Sequence, residues 1–238
     1  MNQVTDTEAA DATWRSLYRV GGTAPLIALV FYLSQLLVLI FSDPYPATVE
    51  GWIVLFQRSK VLGLVYLNAL DIFSIAFLGT MFLALYVALR RDSESYMAIA
   101  ALFAFIGIVV FIVPRVATLS LLPLSDQYAA ATTDTQRAQI LAAGEALHAL
   151  GRATPQTMGF LFMAVASLLI SAVMFQGDIF GRATACVGIL ASAVTCADHI
   201  SLVIAPAVAD ILMPISGLLC LVWWLLISRR LFQLGHRS

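Results

Sequence analysis

The sequence predicts an all-α fold, a polytopic membrane helical bundle of six transmembrane helices plus two outer amphipathic helices. Three observations predict it. Of 238 residues, 61% are hydrophobic and only 11% are charged, against about 25% charged in an ordinary soluble domain. The apolar residues gather into six stretches, each near the roughly 20 residues that cross a hydrocarbon core. Two of the connections carry amphipathic helical patterns too polar or too short to span.

The first span covers about Pro25 to Ser42. Residues 1–22 before it hold Asp6, Glu8 and Asp11, an acidic start unlike a signal-peptide n-region, so they read as a cytoplasmic segment ahead of an uncleaved first helix. Asp43-Pro44-Tyr45-Pro46 forms a stiff turn, and Val49 to Arg58 follows with Val49, Trp52, Ile53 and Phe56 on one helical face. Trp favours the interface, so this segment reads as a surface helix. The second span runs from about Val61 to Leu89 and stops at Arg90-Arg91; the third runs from Tyr96 to about Leu122.

Thr133-Asp134-Thr135-Gln136 is a capping-box pattern that opens the second amphipathic helix, expected to run to about Leu150 with Ile140, Gly144, Leu147 and Gly151 on one face. Thr154-Pro155 reads as the cap and first turn of span four, Gln156 to Phe175. Span five covers Ile179 to Ala205, and span six covers Ala207 to Ile227 before Arg229-Arg230. Residues 23–232 thus form one six-span domain, and 233–238 a tail.

A net charge of −1 with no basic patch gives no basis for nucleic-acid binding. The cysteines, Cys186, Cys196 and Cys220, are odd in number and lie in apolar runs, which reads as small hydrophobes and not as a disulfide framework. Lys and Arg bias orients the chain. With the N-terminus inside, Arg15, Arg19, Arg90, Arg91, Arg182, Arg229, Arg230 and Arg237 lie inside, and Arg58, Lys60, Arg137 and Arg152 lie outside. The positive-inside rule then predicts both termini in the cytoplasm, with both amphipathic connections outside. An inverted three-plus-three repeat would put the charges of spans two and five at opposite depths, and they fall at similar depths.

Charge inside the apolar runs marks the candidate site. Asp71 lies 19 residues before Arg90, Arg115 lies 19 after Tyr96, Asp198 lies 20 after Asp178, and Asp210 lies 19 before Arg229. At about 1.5 Å of rise per residue each sits roughly 28–30 Å from its anchor, which predicts one polar layer in the outer half. Intramembrane charge is costly and usually faces the bundle interior. Asp71 and Arg115 flank one short turn almost symmetrically, so antiparallel packing would level them as an ion pair, with Asn68 one turn away to orient Asp71. His199 stands beside Asp198 and is a candidate because histidine is the side chain whose ordinary charge change falls near neutrality, although a buried histidine is more often a satisfied core imidazole. Pro114 and Pro214 free the carbonyls of Val110 and Asp210 and could kink their helices beside the layer.

Glu145, His148 and Arg152 share a face of the second amphipathic helix. One ExxH spacing falls short of a di-metal site, so no metal and no cofactor is assigned, and the plain alternative is a solvated stripe. Thr184, Gly188, Ser192 and Cys196 form a small-residue seam on span five, which favours close helix packing and secondarily a homo-oligomer face. No nucleophile elbow, phosphate loop or zinc-protease motif is present.

Three stretches carry a resemblance: Pro46-Ala47-Thr48-Val49-Glu50-Gly51-Trp52 with Leu55-Phe56-Gln57-Arg58; Leu62-Gly63-Leu64-Val65-Tyr66-Leu67 with Asp71; and Gln127-Tyr128-Ala129-Ala130-Ala131-Thr132-Thr133 with Gln136-Arg137 and Ala142-Ala143-Gly144-Glu145-Ala146. Together they resemble the bacterial membrane proteins grouped as DUF4386. The resemblance covers nearly the whole chain and implies a multi-span helical membrane protein with no assigned activity.

The leading expectation is a protein of the bacterial cytoplasmic membrane that binds or passes a small or lipidic ligand through an outer polar cavity lined by Asp71, Arg115, Asp198 and His199. A second is an intramembrane metal-assisted or acid–base enzyme acting on a lipid, built on His148, His199 and the carboxylates. A third is a structural or regulatory membrane subunit.

Overall fold

The computed structural model describes residues 2–41, 44–152 and 154–236, and the side chains of residues 14–38, 40–41, 44–150 and 157–236. Helix α1 (Asn2–Phe41) is continuous and does not pause at residue 22. Gly21 and Gly22 lie inside it, where it packs closely on its neighbours. A Cβ on Gly21 would lie 2.4 Å from Ala84 Cβ, and one on Gly22 would lie 3.2 Å from the Ser228 carbonyl, so the helix already packs against two others here.

Helix α2 (Val49–Arg58) matches the expected bounds. Thr48 caps it, its hydroxyl accepting from the Gly51 amide at 3.2 Å. Val49, Trp52, Ile53 and Phe56 are its buried face, as their spacing predicts.

The second span differs from expectation. It breaks into α3 (Lys60–Tyr66) and α4 (Ala69–Leu89). Asn68 causes the break: it adopts φ 53°, ψ 42°, a left-handed conformation that asparagine tolerates better than most residues. The third span breaks as well, into α5 (Glu94–Thr118) and α6 (Leu121–Ala130). Pro123 has no N–H to offer the Leu119 carbonyl, so the helical ladder cannot run through this point.

Helix α7 (Asp134–Arg152) opens on the predicted capping box. Thr133 Oγ1 accepts from the Gln136 amide at 3.3 Å, and Gln136 Oε1 accepts from the Thr132 and Thr133 amides at 3.1 and 3.4 Å. Helix α8 (Thr154–Gln176) follows; the predicted Thr154 side-chain cap lies outside the described side chains. Helix α9 (Arg182–Ile204) starts three residues later than expected, after an extended Gly181. Helix α10 (Pro206–His236) runs past Arg229-Arg230 because Gly235 seats on α1, its carbonyl accepting from Arg19 Nε at 3.0 Å.

Six helices are long and apolar enough to cross a membrane. The core helices close a ring in the order α1, α4, α5, α8, α9, α10 and back to α1. Arg15 and Arg19 of α1 lie against Gly235 near the end of α10, at one end of the ring, here the terminal side. A cap of α2, α3, α6 and α7 covers part of the other end.

The molecule therefore has two apolar cores. The bundle core includes Met81, Leu85, Met97, Ile170 and Trp223. The cap core joins Val49, Trp52, Ile53, Phe56, Tyr66, Leu67 and Leu121. Gly144 admits α7 onto α2, since a Cβ there would lie 2.5 Å from Val49 Cγ1. Lys60 Nζ pairs with Asp126 Oδ2 at 2.8 Å and ties α3 to α6.

Candidate functional site

The Asn68 break is the centre of the first polar site. Ending α3 leaves the Leu67 carbonyl without a helical amide, and Arg115 Nη1 donates to it at 3.4 Å from α5. Starting α4 puts Asp71 in a first helical turn. A guanidinium at a helix C-terminus and a carboxylate at a helix N-terminus both complement the local dipole. Asp71 Oδ2 and Arg115 Nη2 are 3.9 Å apart, with side chains 25% and 11% exposed. The pair is a loose ion pair, closer to a shared field than to a bidentate contact.

Three further contacts shape this site. Gln35, buried on α1, donates from Nε2 to Asp71 Oδ1 at 2.7 Å, and its own Oε1 is buried with no hydrogen-bond partner among the described residues. Arg115 Cζ lies 5.1 Å from the Phe111 ring centroid, within cation–π range. The Tyr45 hydroxyl hydrogen-bonds the Asn68 side chain in the field of Asp71 and Arg115. Burial, and secondarily the Asp71 carboxylate, push the Tyr45 phenol above its ordinary value, which keeps it protonated at neutral pH. The Tyr45 ring stacks edge-on to Tyr66 at 5.1 Å and covers the site from the cap side.

Asn68 therefore does not act as predicted. Its side chain addresses Tyr45, and Gln35 orients Asp71 instead. Gln35 is a polar side chain in an apolar run, a signal of the same kind as Asp71 but without charge.

The second polar site lies between α9 and α10. Asp198 is 1% exposed. Ser216 Oγ lies 3.1 Å from its Oδ2. His199 Nδ1 is 3.6 Å from that oxygen and 3.0 Å from the Thr195 carbonyl, which is the closer acceptor. Thr195 Oγ1 in turn lies 3.5 Å from Cys220 Sγ.

These two sites do not merge into one layer. Arg115 faces Phe111, Phe111 meets Phe160 at 5.1 Å, and Phe160 meets His199 at 5.0 Å. Two aromatic rings thus lie between Arg115 and His199. Asp210 is exposed near the start of α10 and joins neither site. Glu145 is exposed on α7, and His148 lies in the cap with its ring 6.0 Å from that of Trp52. The Arg152 side chain lies outside the described residues. Among the described residues no three His, Cys, Asp or Glu side chains gather as a metal-ligand group, so His148, His199, Asp71 and Asp198 form no composite centre.

The seam of span five faces inward. Thr184, Gly188 and Ser192 are buried, and a Cβ on Gly188 would lie 2.1 Å from Ser171 Oγ and 2.3 Å from Trp223 Nε1.

A closed ring of apolar helices around buried polar sites defines a multi-pass helical membrane protein. A family model described as a domain of unknown function, DUF4386, matches residues 26–228. The chain belongs to that family. Comparison with curated proteins and with solved structures gives no match.

Proposed function

We propose that this protein binds or passes a small polar or lipid-derived ligand at the Asp71–Arg115 site, from the cap side of the bundle. The carrying observation is the span broken at Asn68, with Arg115 at the end of one half-helix and Asp71 at the start of the other. Broken membrane helices lend their backbone ends to ligands in proteins that handle solutes. The Arg115 guanidinium suits an anionic group. Asp71 and the open Gln35 oxygen suit a hydroxyl or amine donor. The ligand class that fits is therefore dipolar, carrying an anionic oxygen and a hydrogen-bond donor a few ångströms apart.

The proposed setting is the bacterial cytoplasmic membrane with both termini in the cytoplasm. The arginines of the terminal side, among them Arg15, Arg19, Arg90, Arg91 and Arg182, support this orientation. A fluorescent-protein fusion to the C-terminus should fold and fluoresce; a dark but inserted fusion reverses the orientation.

Mass spectrometry of small molecules and lipids co-purifying with wild-type protein and with Arg115→Gln tests the ligand reading. We expect an enriched species in the wild type that falls at least tenfold in the variant. Equal profiles for two well-folded proteins would refute it.

A further inference from the structure

Helices α1 and α10 close the ring on the terminal side and part toward the cap. Gly21 faces both neighbours of α1, since a Cβ there would lie 2.4 Å from Ala84 Cβ on α4 and 3.6 Å from Leu231 Cδ1 on α10. That face of α1 therefore looks into the ring. Gly22 against Leu231, and Arg19 against Gly235, set an antiparallel register.

Tyr32 lies eleven residues after Gly21, about three helical turns, and keeps its inward phase. It is nevertheless 48% exposed, and Leu36 is 39% exposed. On α10, Met213 lies eighteen residues before Leu231, about five turns, and shares its phase. Leu231 is fully buried, whereas Met213 is 55% exposed. The register brings Gly217 level with Leu36, and a Cβ on Gly217 would meet nothing within 4 Å among the described residues. The cap packs on α1, α4, α5 and α8 and leaves Pro206 to Val208 of α10 exposed.

The resulting cleft is apolar, lies within two membrane spans and closes at Gly22. A helix from a second copy would cross the whole membrane, so it cannot seat in a cleft that ends part-way. A peptide loop would strand backbone polar groups there. An acyl chain fits: from buried Pro25 to Leu36 the rise is roughly 16 Å, about one leaflet of a core about 30 Å thick.

The polar site stands at the same height. Gln35 precedes Leu36, donates to Asp71 Oδ1 at 2.7 Å, and keeps a buried Oε1 with no hydrogen-bond partner among the described residues. Asp71 is 3.9 Å from Arg115 and has a quarter of its side chain exposed. Asp210 is exposed on the α10 side of the cleft. A phosphate complements the guanidinium, and an ammonium complements the carboxylates.

We infer that the ligand of the Asp71–Arg115 site is a phospholipid with an amine headgroup, held with its phosphate toward Arg115, its ammonium toward Asp71 and an acyl chain in the α1–α10 cleft. This rests on the ligand reading above and adds the headgroup and the tail.

The test is native mass spectrometry of the full chain in detergent, titrated with phosphatidylethanolamine, phosphatidylglycerol or soluble phosphoethanolamine. Gly217→Phe and Leu36→Trp fill the cleft from opposite walls. Leu225→Phe alters the exposed outer face of α10 as a control, and thermal midpoints confirm folding. Wild type should bind phosphatidylethanolamine at least fivefold more tightly than phosphatidylglycerol and at least tenfold more tightly than phosphoethanolamine. Each folded cleft variant should lose at least fivefold in phosphatidylethanolamine affinity, and Leu225→Phe should lose none.

Cleft variants that bind like wild type, while Arg115→Gln does not, overturn the inference and leave the ligand reading standing. Equal binding of the two phospholipids overturns the headgroup, and equal binding of phosphoethanolamine overturns the tail. Binding that Arg115→Gln fails to weaken counts against the ligand reading itself. A dimer that Gly217→Phe dissolves makes a second copy the occupant and overturns the inference.

Discussion

Asp71 and Asp198 lie 19 and 20 residues from Arg90 and Asp178, their anchors in the sequence, yet their surroundings differ in kind. Asp71 sits at a helix start, takes a hydrogen bond from Gln35 at 2.7 Å and has an arginine 3.9 Å away. Asp198 sits inside an unbroken helix, with one shared hydroxyl and an open oxygen. The first carboxylate belongs to a structure that needs it, because the broken span leaves helix ends that Arg115 and Asp71 complement. The second is not needed by any backbone group nearby. The comparison separates a charge that holds the fold from a charge that the fold merely contains.

Substitutions sharpen the contrast, in descending order of effect. Arg115→Gln should cost most, about 3 kcal/mol, because it removes the donor to Leu67 and strands Asp71 in a mostly buried setting. Denaturant or thermal unfolding in detergent reads this directly, and a loss under about 0.5 kcal/mol would make the pair ornamental. Asp71→Asn should cost about 2 kcal/mol, since Asn keeps an acceptor for Gln35 and loses only the charge.

Gln35→Leu should cost about 1 kcal/mol, and combining it with Asp71→Asn should add less than the sum if Gln35 acts through Asp71. Asn68→Gly should cost no more than about 1 kcal/mol, for the lost Tyr45 hydrogen bond, and Asn68→Val should cost more, because only glycine suits φ 53°. Asp198→Asn should cost under about 1 kcal/mol, because Asn keeps an acceptor for the Ser216 hydroxyl and removes a buried charge that no arginine or lysine pairs among the described residues. A loss as large as that of Arg115→Gln would erase the distinction between the two sites.

The elements of the fold were legible where one physical signal decides them. The spacing of Val49, Trp52, Ile53 and Phe56 gave the buried face of α2, and the capping box at Thr133 gave the start of α7. Hydropathy located the spans but not their breaks. Val61 to Leu89 is apolar on both sides of Asn68, and no periodicity registers one left-handed residue. Counting residues from anchors gives the charges similar distances along their helices, because rise per residue is fixed. Lateral separation was not legible, since it depends on which helices are neighbours; Phe111 and Phe160 are apolar residues like many others until α5 meets α8 and α8 meets α9. Gln35 was overlooked because an uncharged polar residue in a span is a weak signal.

The central claim is that Asp71 and Arg115 act as one unit that completes the broken span. A double-mutant cycle of Asp71→Asn and Arg115→Gln by equilibrium unfolding tests it most directly. We predict a coupling energy of about 1–2 kcal/mol, with the double variant more stable than the sum of the single losses implies. Strictly additive losses would contradict it.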